Sequence, residues 1–207
     1  MRRILAATLT IGLWTALAVG PEAPNTLTPQ ETAQGWKLLF DGKTLNGWTP
    51  HGAAEWKIVD GAVTTNSPKG GALYSNEDYD NFVLKLEFQG TPDINSGVYI
   101  RMARQGNIHD VGYEIQIRDI DEQGYTTGSL VNMAKTASLA KIIPGQWNRM
   151  EITAQGDHIT VVYNGKKVLD AHNSLHTTGA IGLQWAHPER APGKSIAFRN
   201  IKVRRLT

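Results

Sequence analysis

The sequence contains no cysteine, so neither a disulfide framework nor a thiolate metal site can form. It also lacks a strong excess of charge of either sign, because 21 basic residues stand against 19 acidic ones. No run of basic residues is present, although proteins that bind nucleic acid need such residues to neutralise phosphates. We therefore predict no nucleic-acid partner for this chain.

Motifs of several common enzyme classes are missing as well. The chain has no Gly-rich phosphate loop, no Gly-x-Ser-x-Gly elbow, no His-Glu-x-x-His pair and no Asp-x-Asp-x-Asp-Gly calcium loop. Asp119, Asp121 and Glu122 are close together and could hold a cation, but their spacing fits no known calcium loop. Such a cluster is more often a solvent-exposed acidic loop than a metal site. We therefore predict no metal ion and no other cofactor.

The N-terminus has the pattern of a secretory signal peptide. Arg2 and Arg3 precede an apolar run over residues 4–19, which contains the small-residue site Ala16-Leu17-Ala18. Cleavage after Ala18 would remove two positive charges and leave a neutral chain outside the cytoplasm, in the periplasm or secreted, with no membrane association. An uncleaved membrane anchor is the alternative, although the run is short for a membrane span.

Residues 19–34 are expected to form a tether with a short helix, and residues 35–207 a single domain. Thr28 followed by Pro29 and then Glu31 has the order of a helix N-cap, a first helical position and a capping box. Beyond residue 35 the chain alternates apolar and polar residues in short stretches that end at Asp-Gly or Asn-Gly turns. This pattern predicts an all-β domain in which two antiparallel sheets pack face to face.

The stretch over residues 95–119 is predicted to form two neighbouring strands joined by a long loop, and the candidate site is centred on it, above all on the second strand over residues 113–118. Tyr113, Ile115 and Ile117 alternate with polar residues, and alternate residues of a strand point to opposite faces. This strand should therefore have one packed face and one polar face, with Glu114 and Gln116 on the polar face.

The preceding strand, residues 95–101, should add to the same surface. Tyr99 and Arg101 occupy alternate positions and are expected on one face. Where the polar faces of the two strands coincide, a phenol and a guanidinium meet the carboxylate of Glu114 and the amide of Gln116. An ordinary solvent-exposed face with a chance Glu–Arg pair is the alternative.

The spacing Glu114-x-Gln116-x-x-Asp119 resembles the E-x-D-x-x-E strand of the family 16 β-glucanases. One bulge between Gln116 and Asp119 would return Asp119 to the face of Glu114. The middle residue is here an amide and the last a shorter carboxylate, so hydrolysis by double displacement, which needs two carboxyl groups about 5–5.5 Å apart, is not expected.

A Gly-spaced strand over residues 180–185 should also contribute polar groups. Ile181, Leu183 and Trp185 fall on one side of it and Gln184 on the other. His187 follows this strand on the side of Gln184, and it is the histidine best placed to act with the other polar residues.

Taken together, several ordered motifs resemble those of the 3-keto-disaccharide hydrolase family, within the concanavalin A-like lectin/glucanase superfamily. The motifs that carry this resemblance lie at residues 35–48, 95–101, 112–119, 145–148, 164–165, 182–184 and 198–201. The resemblance covers residues 30–207. It implies a concanavalin A-like jelly roll, export from a bacterial cell, and action on glycosides that are already oxidised at C3 of the sugar.

The chemistry of such a substrate indicates which groups an enzyme must supply. A ketone at C3 acidifies the proton on C2, so a base can remove it, the group at C1 can leave by elimination, and water can then add. The reaction needs one base, one acid for the leaving oxygen, and hydrogen-bond donors for the enolate oxygen. We predict Glu114 as the base and Asp119 or His187 as the acid, with Tyr99, Arg101, Gln116 and Gln184 binding a carbohydrate substrate.

A carbohydrate-binding module without catalytic activity is the second function class that the sequence allows. Trp48, Trp56, Trp147 and Trp185 could form a stacking platform for a sugar ring, although tryptophan in a β-sandwich more often lies in the core.

Overall fold

The structure, a computed structural model, describes residues 23–91, 93–105, 111–119, 122–137, 141–186 and 192–207. Within these ranges the chain forms one short helix and thirteen strands. The elements are α1 (Pro29–Ala33), β1 (Lys37–Leu38), β2 (Trp48–Gly52), β3 (Lys57–Val59), β4 (Ala62–Thr65), β5 (Gly71–Tyr79), β6 (Phe82–Gly90), β7 (Asn95–Met102), β8 (Tyr113–Ile117), β9 (Asn148–Gln155), β10 (His158–Tyr163), β11 (Lys166–His172), β12 (Gly179–Ala186) and β13 (Ile196–Arg205).

The strands form two antiparallel sheets. The eight-stranded sheet has the order β11-β10-β9-β6-β13-β4-β3, with β1 also paired to β13, and the five-stranded sheet has the order β2-β5-β12-β7-β8. Strand accounts for 51% of the structure and helix for 3%. The predicted all-β, two-sheet architecture is therefore confirmed.

The core lies between the two sheets and follows the period-two pattern of the strands. Phe82, Leu84, Leu86 and Phe88 alternate along β6 and are each no more than 2% exposed. They belong to the same buried cluster as Tyr113, Ile115 and Ile117, which line the inner face of β8. Each such side chain stabilises the fold by about 1.5–3 kcal/mol through burial, so the alternation decides which face of each strand points inward.

The short helix begins at the predicted capping box. Glu31 N–H donates to the Thr28 hydroxyl and Thr28 N–H to the Glu31 carboxylate, which satisfies two helix-end donors. Lys202 of β13 donates to the other Glu31 oxygen, which ties the helix to the eight-stranded sheet. Burial alone would raise the pKa of Glu31, but the hydrogen bonds from Lys202 and Thr28 hold it below its usual value.

Two local backbone features, a predicted turn and a bulge, contain residues with positive φ. Asn164 and Gly165 both have positive φ, which the two-residue turn between β10 and β11 requires. The register of β13 shifts between Arg199 and Lys202, and Asn200 has positive φ, so this strand contains a bulge.

The N-terminal predictions fall mostly outside the described residues. The signal peptide predicted for residues 1–18 and the first part of the tether are not among them. In the part of the chain that the structure describes, no helix is long and apolar enough to cross a membrane.

Candidate functional site

The outer face of the five-stranded sheet carries two rows of aligned residues. Leu73, Val98 and Leu183 belong to the main core, so their neighbours in sequence point to the opposite face. The strand register then places residues from β2, β5, β12, β7 and β8 side by side on that face. The first row is His51, Ala72, Gln184, Gly97 and Gln116, and the second is Thr49, Tyr74, Gly182, Tyr99 and Glu114.

Gly97 forms a depression in the first row that neighbouring side chains occupy. A β-carbon built on Gly97 would lie 3.0 Å from both Cγ and Oε1 of Glu114, and 3.2 Å from Oε1 of Gln184. The carboxylate of Glu114 therefore lies over the backbone of Gly97, beside the carboxamide of Gln184. A larger residue at position 97 would displace both groups.

Tyr99 is buried between these groups and stays protonated. Its side chain is 1% exposed, and the Gln184 Nε2 atom lies 2.5 Å from its hydroxyl oxygen. Burial raises the pKa of Tyr99, and the charge of Glu114 raises it further, while the hydrogen bond with Gln184 lowers it. The net pKa is far above the ordinary value of 10, so the phenol is a hydrogen-bond donor at neutral pH.

Tyr74 and His51 also belong to this face, and the sequence analysis missed both. The Tyr74 ring lies over Gly182, where a β-carbon would be only 2.7 Å from its Cδ1 atom. The His51 ring lies 4.3 Å from the Tyr74 ring, centroid to centroid. Burial, with a contribution from the charge of Glu114, raises the pKa of Tyr74 to about 12. The signal that could have found Tyr74 is its alternation with the apolar Leu73, which places Tyr74 on the face opposite to the core.

Two amide oxygens on this face have no hydrogen-bond partner among the residues that the structure describes. Gln116 is 3% exposed and Gln184 is 7% exposed, and the Oε1 atom of each is buried and unpaired. A buried polar atom without a partner costs about 1–3 kcal/mol, so each of these oxygens is expected to accept a hydrogen bond from a ligand or from a rearranged neighbour. Gln184 and Gln116 pair with Gly97 on either side, so both amides project from positions next to the residue over which the Glu114 carboxylate lies.

The prediction that Arg101 shares the face of Tyr99 is wrong. The pairing of β7 with β12 shifts near its end, and Arg101 has a φ of 51°, so the alternation breaks there. The guanidinium donates to the backbone oxygens of Asp80 at 2.7 and 2.9 Å, of Gly156 at 2.7 Å and of His176 at 3.1 Å. Arg101 is 1% exposed and connects three turns, so we leave it out of the candidate site.

Asp119 also lies away from Glu114. The register of β7 and β8 runs without a shift from Ile100–Tyr113 to Ser96–Ile117, so the bulge that would bring Asp119 back does not occur within that pairing. Asp119 Oδ1 instead accepts a hydrogen bond of 2.6 Å from the backbone of Ile142. The predicted convergence of Asp119 and Glu114 is therefore wrong.

Two other predicted participants, His187 and Asp121, lie outside the described residues. The predictions for His187 as an acid and for the acidic cluster therefore stay predictions. Within the described ranges, no group of three or more His, Asp or Glu side chains is arranged to hold a metal ion.

The four tryptophans do not line the candidate site as a platform. Trp48 and Trp185 are core residues whose indole N–H groups donate to backbone oxygens, and the partly buried Trp56 packs against the same core. Trp147 lines a groove of about 910 Å³ on the outer face of the other sheet, where the Arg199 guanidinium lies 4.0 Å from its ring centroid. Glu87 neutralises Arg199 in this groove, which lies on the sheet opposite to Glu114 and the unpaired amides.

Comparison with known proteins gives the family. Residues 35–204 match the family model described as the 3-keto-alpha-glucoside-1,2-lyase-like domain. The chain belongs to this family. A similar curated protein is the 3-keto-disaccharide hydrolase of Bacteroides thetaiotaomicron, with 27% identity over 172 residues. That match covers 68% of this chain and 59% of the relative, so the chain spans less than two thirds of the relative's length.

Solved structures confirm the fold of this family member. Two structures from Parabacteroides distasonis, provisionally named glycosyl hydrolases, have TM-scores of 0.75 and 0.68 at 21% and 28% identity. The first comparison covers 89% of this chain and 100% of that one, and the second 83% and 99%. The carbohydrate-binding module CBM66 of Bacillus subtilis has the same fold, with a TM-score of 0.56 at 18% identity over 75% of this chain and 94% of that one.

Proposed function

We propose that this protein cleaves 3-keto-glycosides on the outer face of its five-stranded sheet. Membership of the 3-keto-alpha-glucoside-1,2-lyase-like family and the name of the curated Bacteroides relative support this class of substrate. The observation that carries the proposal is the position of Glu114. Its carboxylate lies over Gly97, between the buried carboxamides of Gln184 and Gln116, on a face lined by two tyrosines.

In the proposed reaction Glu114 is the base. Its carboxylate takes the proton from C2, and the electrons of the C–H bond form the enolate of the C3 ketone. The enolate then expels the oxygen at C1, which receives a proton as it leaves, and a double bond forms between C1 and C2. Water adds to C1 while C2 regains a proton, so the net change is hydrolysis. The acid for the leaving oxygen remains a role proposed for His187.

Gln116 supplies hydrogen bonds in this scheme. Its side chain projects from the strand position next to Gly97, two residues from Glu114. The carboxamide N–H groups can donate to the ketone oxygen, which becomes an enolate, and the unpaired Oε1 atom can accept from a sugar hydroxyl. A sugar hydroxyl bound here would supply the donor that this buried acceptor lacks among the described residues.

The position of Asp119 favours this route over double displacement. Retaining hydrolysis through a glycosyl-enzyme intermediate needs a second carboxyl group about 5–5.5 Å from the first. The Asp119 carboxylate instead accepts a hydrogen bond from the backbone N–H of Ile142. Elimination needs a single base, and Glu114 alone can fill that role.

The test is turnover of a 3-keto-glucoside compared with its unoxidised parent, measured as released aglycone. We expect cleavage of the ketone alone, and Glu114→Gln should lower turnover by about 10²–10⁴ with an unchanged melting temperature, because it removes basicity and keeps the shape. Glu151→Gln is the matched control, since Glu151 pairs with Lys85 on the other sheet. Unchanged turnover by a folded Glu114→Gln protein would refute the assignment.

A carbohydrate-binding module is the second candidate function, because CBM66 shares the fold. Such a module would bind a glycoside at the same face, and wild-type protein would leave it uncleaved. Calorimetric binding without aglycone release would support this alternative.

We also propose that the protein acts in the periplasm or outside the cell, after removal of residues 1–18. The basic start, the apolar run and the Ala-x-Ala site support this location.

A further inference from the structure

The carboxamide of Gln184 lies between the hydroxyl of Tyr99 and the carboxylate of Glu114. Its Nε2 atom is 2.5 Å from the Tyr99 oxygen. Its Oε1 atom and Oε1 of Glu114 both lie within 3.2 Å of the same point, the position of a β-carbon on Gly97. The strand register sets this arrangement, because Gly97 pairs with Gln184 on one side and Tyr99 pairs with Glu114 in the next row.

This orientation of the amide brings two acceptors together. The Oε1 atoms of Gln184 and Glu114 both border the position above Gly97, and the Gln184 oxygen is buried without a partner among the described residues. The nitrogen and oxygen of a carboxamide are nearly identical in shape, and only their hydrogen bonds distinguish them. Turning the amide by 180° places N–H beside the carboxylate and oxygen beside the phenol. Tyr99 can donate to that oxygen because its raised pKa keeps it protonated.

We propose that Tyr99 donates its hydroxyl proton to Gln184 Oε1 and that Gln184 Nε2 donates to the Glu114 carboxylate. Gln184 is then a positioning residue for the base. The amide N–H holds the carboxylate over Gly97 and stabilises its ionised form, and Tyr99 fixes the amide in that orientation. A hydrogen bond to an ionised group is about twice as strong as one between neutral groups, so the turned amide is the favoured one. This inference rests on the proposed role of Glu114 as the base.

The orientation can be tested without any substrate, by nuclear magnetic resonance of the side-chain amide of Gln184. The resonance is assigned as the one absent from Gln184→Met. We expect its protons to shift as the pH passes from about 3 to 7 and Glu114 ionises. That shift should disappear in Glu114→Gln and remain in Tyr99→Phe. The amide of Gln89, on the outer face of the other sheet, is the reference that should show neither effect.

The opposite orientation predicts the reverse pattern. In that case the amide protons would shift strongly in Tyr99→Phe, because they would lose their acceptor, and would not follow the ionisation of Glu114. This outcome would overturn the proposal. It would leave the proposed function unaffected, because that function depends on turnover and not on the amide.

Kinetics give a second readout. Gln184→Glu places a second carboxylate beside the base, which opposes ionisation, and the acid limb of the kcat/KM profile should move to higher pH by about one unit or more. Gln184→Met should lower kcat by roughly tenfold or more with KM little changed, because the base is misdirected. An unmoved acid limb in Gln184→Glu would contradict the positioning role. Failure of the wild type to cleave any 3-keto-glycoside would instead refute the proposed function.

Discussion

Arg101 offers the sharpest test of how this fold is held together. Its guanidinium donates four hydrogen bonds to three backbone oxygens, those of Asp80, Gly156 and His176. These residues lie in the turns after β5 and β9 and in the segment before β12, so one side chain ties both sheets together at one end. Burial lowers the pKa of Arg101, but arginine stays charged in proteins, so Arg101 is a buried cation at this end of the sandwich.

Arg101→Met should therefore destabilise the protein strongly. The substitution keeps an unbranched side chain but leaves three carbonyl oxygens without their donor. Removing one side of a buried charged interaction costs about 3–5 kcal/mol, partly offset because the cation no longer needs to be desolvated. For a domain of this size that loss corresponds to roughly 6–20 °C in melting temperature. The strain of positive φ at position 101 is shared by Arg and Met and does not enter the difference.

Urea unfolding followed by tryptophan fluorescence measures this loss. Arg101→Lys should give an intermediate loss, because one ammonium group cannot reach three turns. Arg149→Met is the control, since its side chain is 80% exposed and its ion pair with Glu87 is worth about 1 kcal/mol or less. An Arg101→Met protein with the unfolding midpoint of the wild type would refute this reasoning. If that equally stable Arg101→Met protein had lost turnover, the result would support the sugar contact that the sequence pattern predicted for Arg101.

Two further predictions concern the N-terminal region. The pKa of Glu31 is lowered in the folded state, because hydrogen bonds from Lys202 and Thr28 outweigh the effect of burial. The ionised carboxylate therefore stabilises the fold at pH values above its unfolded pKa, which is near 4.5. This stability is lost as the pH falls through the folded pKa. The melting temperature of Glu31→Gln should accordingly fall less steeply below about pH 4.5 than that of the wild type, and parallel curves would contradict this. Mass spectrometry of the protein exported from a bacterial host should show a chain that begins near Val19, whereas a chain that retains residues 1–18 would contradict signal cleavage.

The site shows how far a local pattern can predict. Glu114 and Gln116 lie on one face of β8, as their alternation with Tyr113, Ile115 and Ile117 predicted, because alternation is a property of the strand itself. Gln184 joins them for the same reason, opposite to its core neighbours in β12.

Arg101 and Asp119 show where that reasoning fails. The alternation of β7 holds only as far as Ile100, since a change of register and a positive φ turn Arg101 to the end of the sandwich. Asp119 lies beyond the last residue of β8, where the backbone of Ile142 provides a partner that no local pattern identifies.

The sequence by itself determined the all-β class, the turns, the capping box, the family and the face on which Glu114 lies, since all of these depend on residues close together in the chain or on ordered motifs. Only the tertiary structure decided which strands became neighbours. Tyr74 and Gln184 reach the face of Glu114 through pairings of β5 with β12 and of β12 with β7, across separations of roughly a hundred residues. Such pairings are set by the packing of both sheets on one core, so the composition of the site depended on the whole fold.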